Sequence, residues 1–423
     1  MLVGILISLL FLFGLIINYK KTIIIVAMTL QFLSYIGTGI VGLKIFTLVA
    51  FAAILIYKMK EKGLSKDNYP KPLFVASLFF FVSFTLTLLF SGGMHAGTVV
   101  ANIGTYFVFP FIFWKCLDSK VQVLRALNIL LYLMTFAITL GLIELILQHN
   151  YIHDLIESIF VIEDFTIDAS SIRFGLKRCN SFFSYFTTYG VVACFSFVIF
   201  YVQSFYLKYR RRALLTIMIY LTVFAAFSTG SRAIFLGLFA SVFCLFFNMD
   251  YLKHSSGRIM ILILLLFSPL ILNIGFQVLD SIFNSDNSKF AEGSSSDLRL
   301  VQWYICLPYF ENSPLVGNGR MYIWDVVKEE NFELLGAESI WFSILVDYGL
   351  IGAFAFLSLI ISCLKVLYKW NKRLICLPVA YLLILSLSPD QGVQYNILLT
   401  FTILLLRMYQ FLDCRTYLAK INQ

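Results

Sequence analysis

Charge is what this sequence has least of. Only 13% of its 423 residues are Asp, Glu, Lys or Arg, against roughly a quarter in an ordinary soluble domain. That shortage excludes a separate water-soluble domain of usual size. Histidine is scarcer still, at four copies. None of His95, His149, His153 and His254 falls in an H-E-x-x-H pattern, so no metal is expected. His149 and His153 have helical i,i+4 spacing with Asp154 adjacent, a pattern more often found on polar loop surface. There is no GxxxxGK[ST] loop for ATP, no G-x-S-x-G elbow and no DxD-like nucleotide-sugar pattern. Of eight cysteines, only Cys179 and Cys306 fall in long polar loops, and spacing alone does not pair them.

What is present is hydrocarbon. The chain is 60% hydrophobic, with 44 Phe and a mean hydropathy of +0.88. An all-α polytopic membrane protein is the expected fold. With about 20 apolar residues per span, the candidates are 2–18, 22–38, 40–57, 72–90, 98–115, 126–148, 181–207, 213–228, 233–249, 259–280, 339–368, 374–389 and 393–412. Twelve to fourteen spans is the defensible range, with 22–57 open to one re-entrant hairpin. The N-terminal run lacks a basic n-region and reads as a retained span. A net charge of +9 resides largely in short loops on alternate sides, as the positive-inside rule requires, and no nucleic-acid motif accompanies it. This pattern places the C-terminus in the cytoplasm and two long loops, 149–180 and 281–338, on the outer face.

Candidate chemistry collects near those loops. Arg232 follows a break at Ser228 to Ser231 between two apolar runs. An arginine there costs a few kcal/mol unless it snorkels or meets an anion. The 281–338 insertion opens with a Ser/Asn/Asp/Gly-rich tract over 281–297 and then reads as helical, with Ser295 or Ser296 as cap and Asp297 beside it. On that helix Arg299 and Trp303 share one face, while Leu298, Val301 and Ile305 form an apolar side suited to the membrane interface. The following SPLVGNGR turn carries Gly317, Gly319 and Arg320, permissive enough for backbone to approach a ligand. Paired guanidinium forks match a lipid-linked pyrophosphate; Arg232 and Arg299 are the first choices, Arg178 and Arg173 the next. Glu338 is either a carboxylate favoured at a helix start or a general base. Glu144 is a buried-acid candidate close enough to the outer end for hydration.

Four stretches in order resemble the O-antigen polymerase and O-antigen ligase family: RCNSFFSYFTTYG (178–190), STGSRAIFLGL (228–238), RLVQWYICLPYFENSPLVGNG (299–319) and GAESIWFSILVDYGLIG (336–352). The resemblance implies a glycosyltransferase with the helical fold of the C-type membrane enzymes. It also implies undecaprenyl-pyrophosphate-linked donor and acceptor, catalysis at the outer face of a bacterial cytoplasmic membrane without metal, nucleotide or other cofactor, and a chain-length regulator as partner. Carried over, Arg232 and Arg299 bind the donor pyrophosphate. The ligase branch typically has histidine where this chain has Glu338, so the resemblance favours a polymerase of O-antigen, capsule or another exopolysaccharide. A flippase-type transporter is the rival class; the asymmetric layout, without repeated halves, weighs against it.

Overall fold

The computed structural model describes residues 2–32, 36–37, 68–90, 108–159, 161–162, 172–173, 176–183, 185–204, 209–246, 296–331, 334, 337–388 and 395–412. The expected spans 40–57 and 259–280, and the tract 281–295, lie outside the described residues. The architecture is helical: α1 (Leu2–Leu30), α2 (Lys71–Phe90), α3 (Phe109–Cys116), α4 (Lys120–Leu147), α5 (Tyr151–Ile159), α6 (Phe186–Ser204), α7 (Tyr209–Ser228), α8 (Arg232–Phe246), α9 (Ser296–Asn312), α10 (Ile340–Trp370), α11 (Cys376–Ser386) and α12 (Tyr395–Phe411). α2, α4, α6 and α10 are long and apolar enough to cross a bilayer, and shorter apolar stretches occupy α7, α8 and α12. This is a polytopic membrane protein.

Its centre is α6. Every residue from Phe186 to Gln203 is buried, as expected for a helix apolar all round and surrounded by others. α4, α7, α8, α11 and α12 pack around it. Small residues set the closest approaches: a Cβ at Gly190 would lie 2.5 Å from Ile234 on α8, and one at Gly237 2.4 Å from Ile384 on α11. α8 is thereby clamped between α6 and α11, which fixes where its first residue, Arg232, stands.

The expected division between 2–18 and the run starting at 22 is present as two helical halves that meet at a break, Asn18 (φ −150°, ψ 81°). The Asn18 Oδ1 accepts from the Lys21 amide, capping the second half, and the bend brings Gly14 against Thr22. The 149–180 region is not plain loop. It holds α5 and contributes to two antiparallel two-residue strand pairs, Ile36–Gly37 with Val161–Ile162 and Ile172–Arg173 with Leu176–Lys177. Glu144 is 3% exposed rather than hydrated. It accepts from the amides of Asn180 and Ser181 at 3.0 and 2.8 Å and lies 3.5 Å from the buried Lys177 ammonium, so its partners come from within the fold. Cys179 and Cys306 are free thiols in different apolar clusters, which rules out a bridge between them in this fold.

Candidate active site

The break between α7 and α8 is made by residues that cannot extend a helix cheaply. Gly230 takes φ +60°, and the Thr229 hydroxyl bonds back to Ala226 O. The end of α7 leaves carbonyls without helical donors. Two of them are taken from the 178–179 segment: Cys179 N donates to Ser228 O at 3.0 Å, and Arg178 Nε donates to Thr229 O at 3.1 Å. The Arg178 guanidinium also lies over the Phe186 ring, 3.2 Å from its centroid. Arg178 is thus a cap on α7 as well as a cation beside the break. α8 then starts with Phe235 N bonding Ser231 O, leaving the positive end of its dipole at Arg232.

A second junction joins the 281–338 insertion to α10. Gly349 has φ +62° and ψ −162°, and the kink removes the helical acceptors of Leu350 N and Ile351 N and the donors to Val346 O and Asp347 O. All four groups are recovered from one turn. Leu350 N and Ile351 N donate to Pro314 O and Leu315 O at 2.9 and 3.0 Å; Asn318 N and Gly319 N donate to Val346 O and Asp347 O at 3.0 and 3.1 Å. The Asp347 carboxylate, 4% exposed, adds bonds from Met321 N and Ile323 N, both 2.9 Å. Gly317 and Gly319 are buried in this seam, and a Cβ at Gly317 would meet Asp347 O at 2.2 Å. The Pro-x-x-Gly-x-Gly turn and the Gly-Leu-Ile-Gly string are two halves of one joint.

That joint seats α9 beside the start of α10. Gln302 on α9 is completely buried and uses both ends of its amide: Nε2 donates to Leu334 O at 2.9 Å, and Oε1 accepts from Glu338 N at 3.2 Å. One turn earlier on α9, Arg299 Nη2 lies 3.8 Å from Glu338 Oε2 and donates to Leu387 O just past α11 at 3.4 Å. The buried Arg299 Nε has no hydrogen-bond partner among the described residues. Ser339 caps α10 by accepting from Trp341 N, and the Trp341 indole donates to Ser386 on α11. Arg232 interacts electrostatically with both Arg299 and Glu338. Four elements therefore converge: the starts of α8 and α10, the side of α9 and the end of α11. Two guanidinium groups and one carboxylate thus lie within electrostatic reach of one another, close to the starts of two helices.

The family model described as O-antigen ligase matches residues 217–357. Over that third of its length the chain is similar to the O-antigen ligase family. The family covers O-antigen ligases and polymerases, whose enzymes transfer lipid-linked glycans. The matched range holds Arg232, Arg299, Gln302, Glu338 and the whole 314–351 joint, and leaves out the 178–190 stretch. None of the curated proteins matches this chain in sequence.

Of the residues singled out from sequence, the structure brings Arg232, Arg299 and Glu338 together. Trp303 stands on α9 with its ring edge-on to Phe342, 5.2 Å between centroids. Arg320 is exposed beyond the joint, and Arg173 belongs to a strand pair in the 149–180 region. The apolar side expected for α9 needs correction. Ile305 packs with Cys306, Ile323, Val327 and Phe342 inside the protein, whereas Leu300, Trp303, Tyr304 and Leu307 are exposed. The reason is Gln302: its two bonds turn that face inward. His149 pairs with Asp154 at 2.8 Å and His153 is buried; among the described residues no group of three or more His, Cys, Asp or Glu comes together as a metal site. Sequence reasoning missed Gln302 and the Leu387 carbonyl, and neither carries a local signal.

Proposed function

We propose that the protein polymerises lipid-linked oligosaccharide repeat units at the outer face of a bacterial cytoplasmic membrane, its C-terminus in the cytoplasm. The observation that carries the reading is the meeting of Arg232 and Arg299 with Glu338. The donor is a growing glycan on undecaprenyl pyrophosphate and the acceptor a lipid-linked single repeat. The acceptor hydroxyl oxygen attacks the anomeric carbon of the donor. The new C–O bond forms as the anomeric C–O bond to phosphate breaks, and undecaprenyl pyrophosphate leaves with the electron pair. Glu338 takes the hydroxyl proton, then yields it to solvent or the departing phosphate. Arg232 and Arg299 neutralise charge growing on the leaving oxygen, an interaction stronger in the transition state than before it. These residues do the chemistry without metal or nucleotide, and a separate chain-length regulator sets polymer size.

Glu338 in place of the ligase branch's usual histidine supports polymerase. The description of the matched family favours ligase, with a lipid-core sugar as acceptor. A surface-polysaccharide gel from a deletion strain, complemented with wild type or Arg232→Ala, separates them. Collapse of the ladder to a single attached repeat, restored by wild type only, is the expected result. Loss of every attached repeat with lipid-linked polymer accumulating would mean ligase. Repeat units trapped on the inner face would mean a flippase and end the glycosyltransfer reading.

A further inference from the structure

We propose that Gln302 is the positioning residue of this site, setting Glu338 for proton transfer; this rests on the reading of Glu338 as the base. Glu338 is not held by a helix of its own. It precedes the α10 cap, Ser339, and follows the buried Leu334 and Ala337, which are tied by Leu334 N to Asn331 O, Ala337 N to Leu334 O and Ser339 N to Ala337 O. These bonds are local to the turn and do not pin it to α9. Gln302 supplies the pin from across the fold, accepting from the Glu338 amide while donating to Leu334 O.

Three facts single this side chain out from ordinary packing. It is fully buried and bonded to Leu334, a member of the apolar cluster of the insertion, where an amide is ordinarily retained only if its ends are bonded. Both of its bonds go to main chain of the one segment that carries Glu338. It also lies three residues beyond Arg299 on α9, so one rigid helix sets the guanidinium and the carboxylate relative to each other. Only Gln reaches both main-chain atoms: Asn is one methylene short, Glu lacks the donor and Met lacks both functions.

The test uses full-length protein in detergent with bilayer lipid, and lipid-linked repeat units extracted from the deletion strain as substrate. Gln302→Met keeps the volume and removes both bonds. Gln302→Asn keeps a buried amide that cannot span, and serves if the Met variant fails to fold. The expected result is a kcat lowered roughly 10- to 100-fold by misplacement of the base, with KM little changed because binding by the arginines is intact. In a Glu338→Gln background, either Gln302 substitution should add no further loss, since a residue acting through Glu338 has nothing left to position. Losses that multiply would mean that Gln302 only supports the fold, and would overturn the inference. Parental kcat in both Gln302 variants beside an inactive Glu338→Gln would overturn it while leaving the base in place. Near-parental activity of Glu338→Gln would sink the base assignment itself, and the inference with it.

Discussion

The joint between α10 and the 314–319 turn makes Gly349→Ala the most revealing single substitution. Gly349 sits at φ +62°, ψ −162°, a region open essentially to glycine alone and costing other residues of order 1–3 kcal/mol. Sterics add to this. A Cβ there would lie 2.6 Å from the carbonyl carbon and oxygen of Leu315 and 2.7 Å from Gly317 N. These are main-chain atoms that cannot rotate aside, so the turn has to lift. Lifting it breaks the four main-chain bonds across the joint, each worth about 1 kcal/mol net. The combined cost is about 5–7 kcal/mol, comparable to the whole stability of many folds. Straightening α10 offers partial escape, because Leu350 N and Ile351 N would regain Val346 O and Asp347 O as partners. The spans should then stay inserted while the insertion comes loose and α9 carries Arg299 and Gln302 away from Glu338. Limited proteolysis in detergent should cut the 296–338 region of Gly349→Ala far faster than that of wild type, and the polysaccharide ladder should be lost. Leu350→Ala, which trims a side chain 38% exposed and leaves the backbone alone, should do neither. Gly349→Ala protein with wild-type proteolysis and a normal ladder would refute the account of the joint.

Other expectations follow from single sites. Arg232→Ala and Arg299→Ala should each lower the polymerisation rate about 10²- to 10³-fold, the usual loss for one transition-state charge donor; near-normal rates from folded proteins would remove the arginines from the mechanism. Burial, reinforced by Lys177 nearby, lowers the His153 pKa from 6.5 to about 4. The folded state therefore holds it neutral, and its contribution of at most about 3 kcal/mol is complete above pH 6.5 and lost as pH falls toward 4. Hydrogen exchange around 150–183 should accelerate over that window in wild type, and a flat profile would count against the burial. Arg407 is fully buried on α12, donates to Trp114 O at 3.0 Å and stacks on the Trp114 ring. Arg407→Lys loses the planar fork and the stacking and should lower stability by about 2 kcal/mol, read as a fall in Tm; an unchanged Tm would deny the contact any weight.

How far the sequence reveals this arrangement depends on the range of the interaction concerned. The α7–α8 break is legible because Thr229, Gly230 and Ser231 act on their own backbone. So is α9, whose start at Ser296 falls where the Ser-rich helix signal of the sequence places it. Glu144 is not legible as an internal salt bridge, because Lys177, Asn180 and Ser181 reach it only once the chain folds back. The glycines of the 317–319 turn are conspicuous as glycines, yet their partner is a kink in another helix, so they read equally well as a ligand loop. Gln302 is the limiting case. A glutamine inside an amphipathic helix reads as solvent-facing, and only the positions of Leu334 and Glu338 turn that face inward. The charges at the site were readable as charges; what holds them in register was not.

The resting geometry also bears on how the site would work. At 3.8 Å, the Arg299–Glu338 pair is well beyond the roughly 2.7–2.9 Å of a full charge-assisted hydrogen bond. Both side chains keep some exposure, about a fifth for Arg299 and a quarter for Glu338, so their attraction is partly screened. Such a pair is cheap to part. Arg299 already spends one Nη on the Leu387 carbonyl, while its buried Nε has no partner among the described residues. In the proposed mechanism, an arriving pyrophosphate oxygen would give that nitrogen an acceptor and draw the guanidinium away from Glu338. Under the proposed mechanism, donor binding thus has two effects from one motion. It places a second cation beside Arg232 on the leaving group, and it takes a counter-charge off the carboxylate that must accept the proton. A tight resting ion pair would make the same exchange costly.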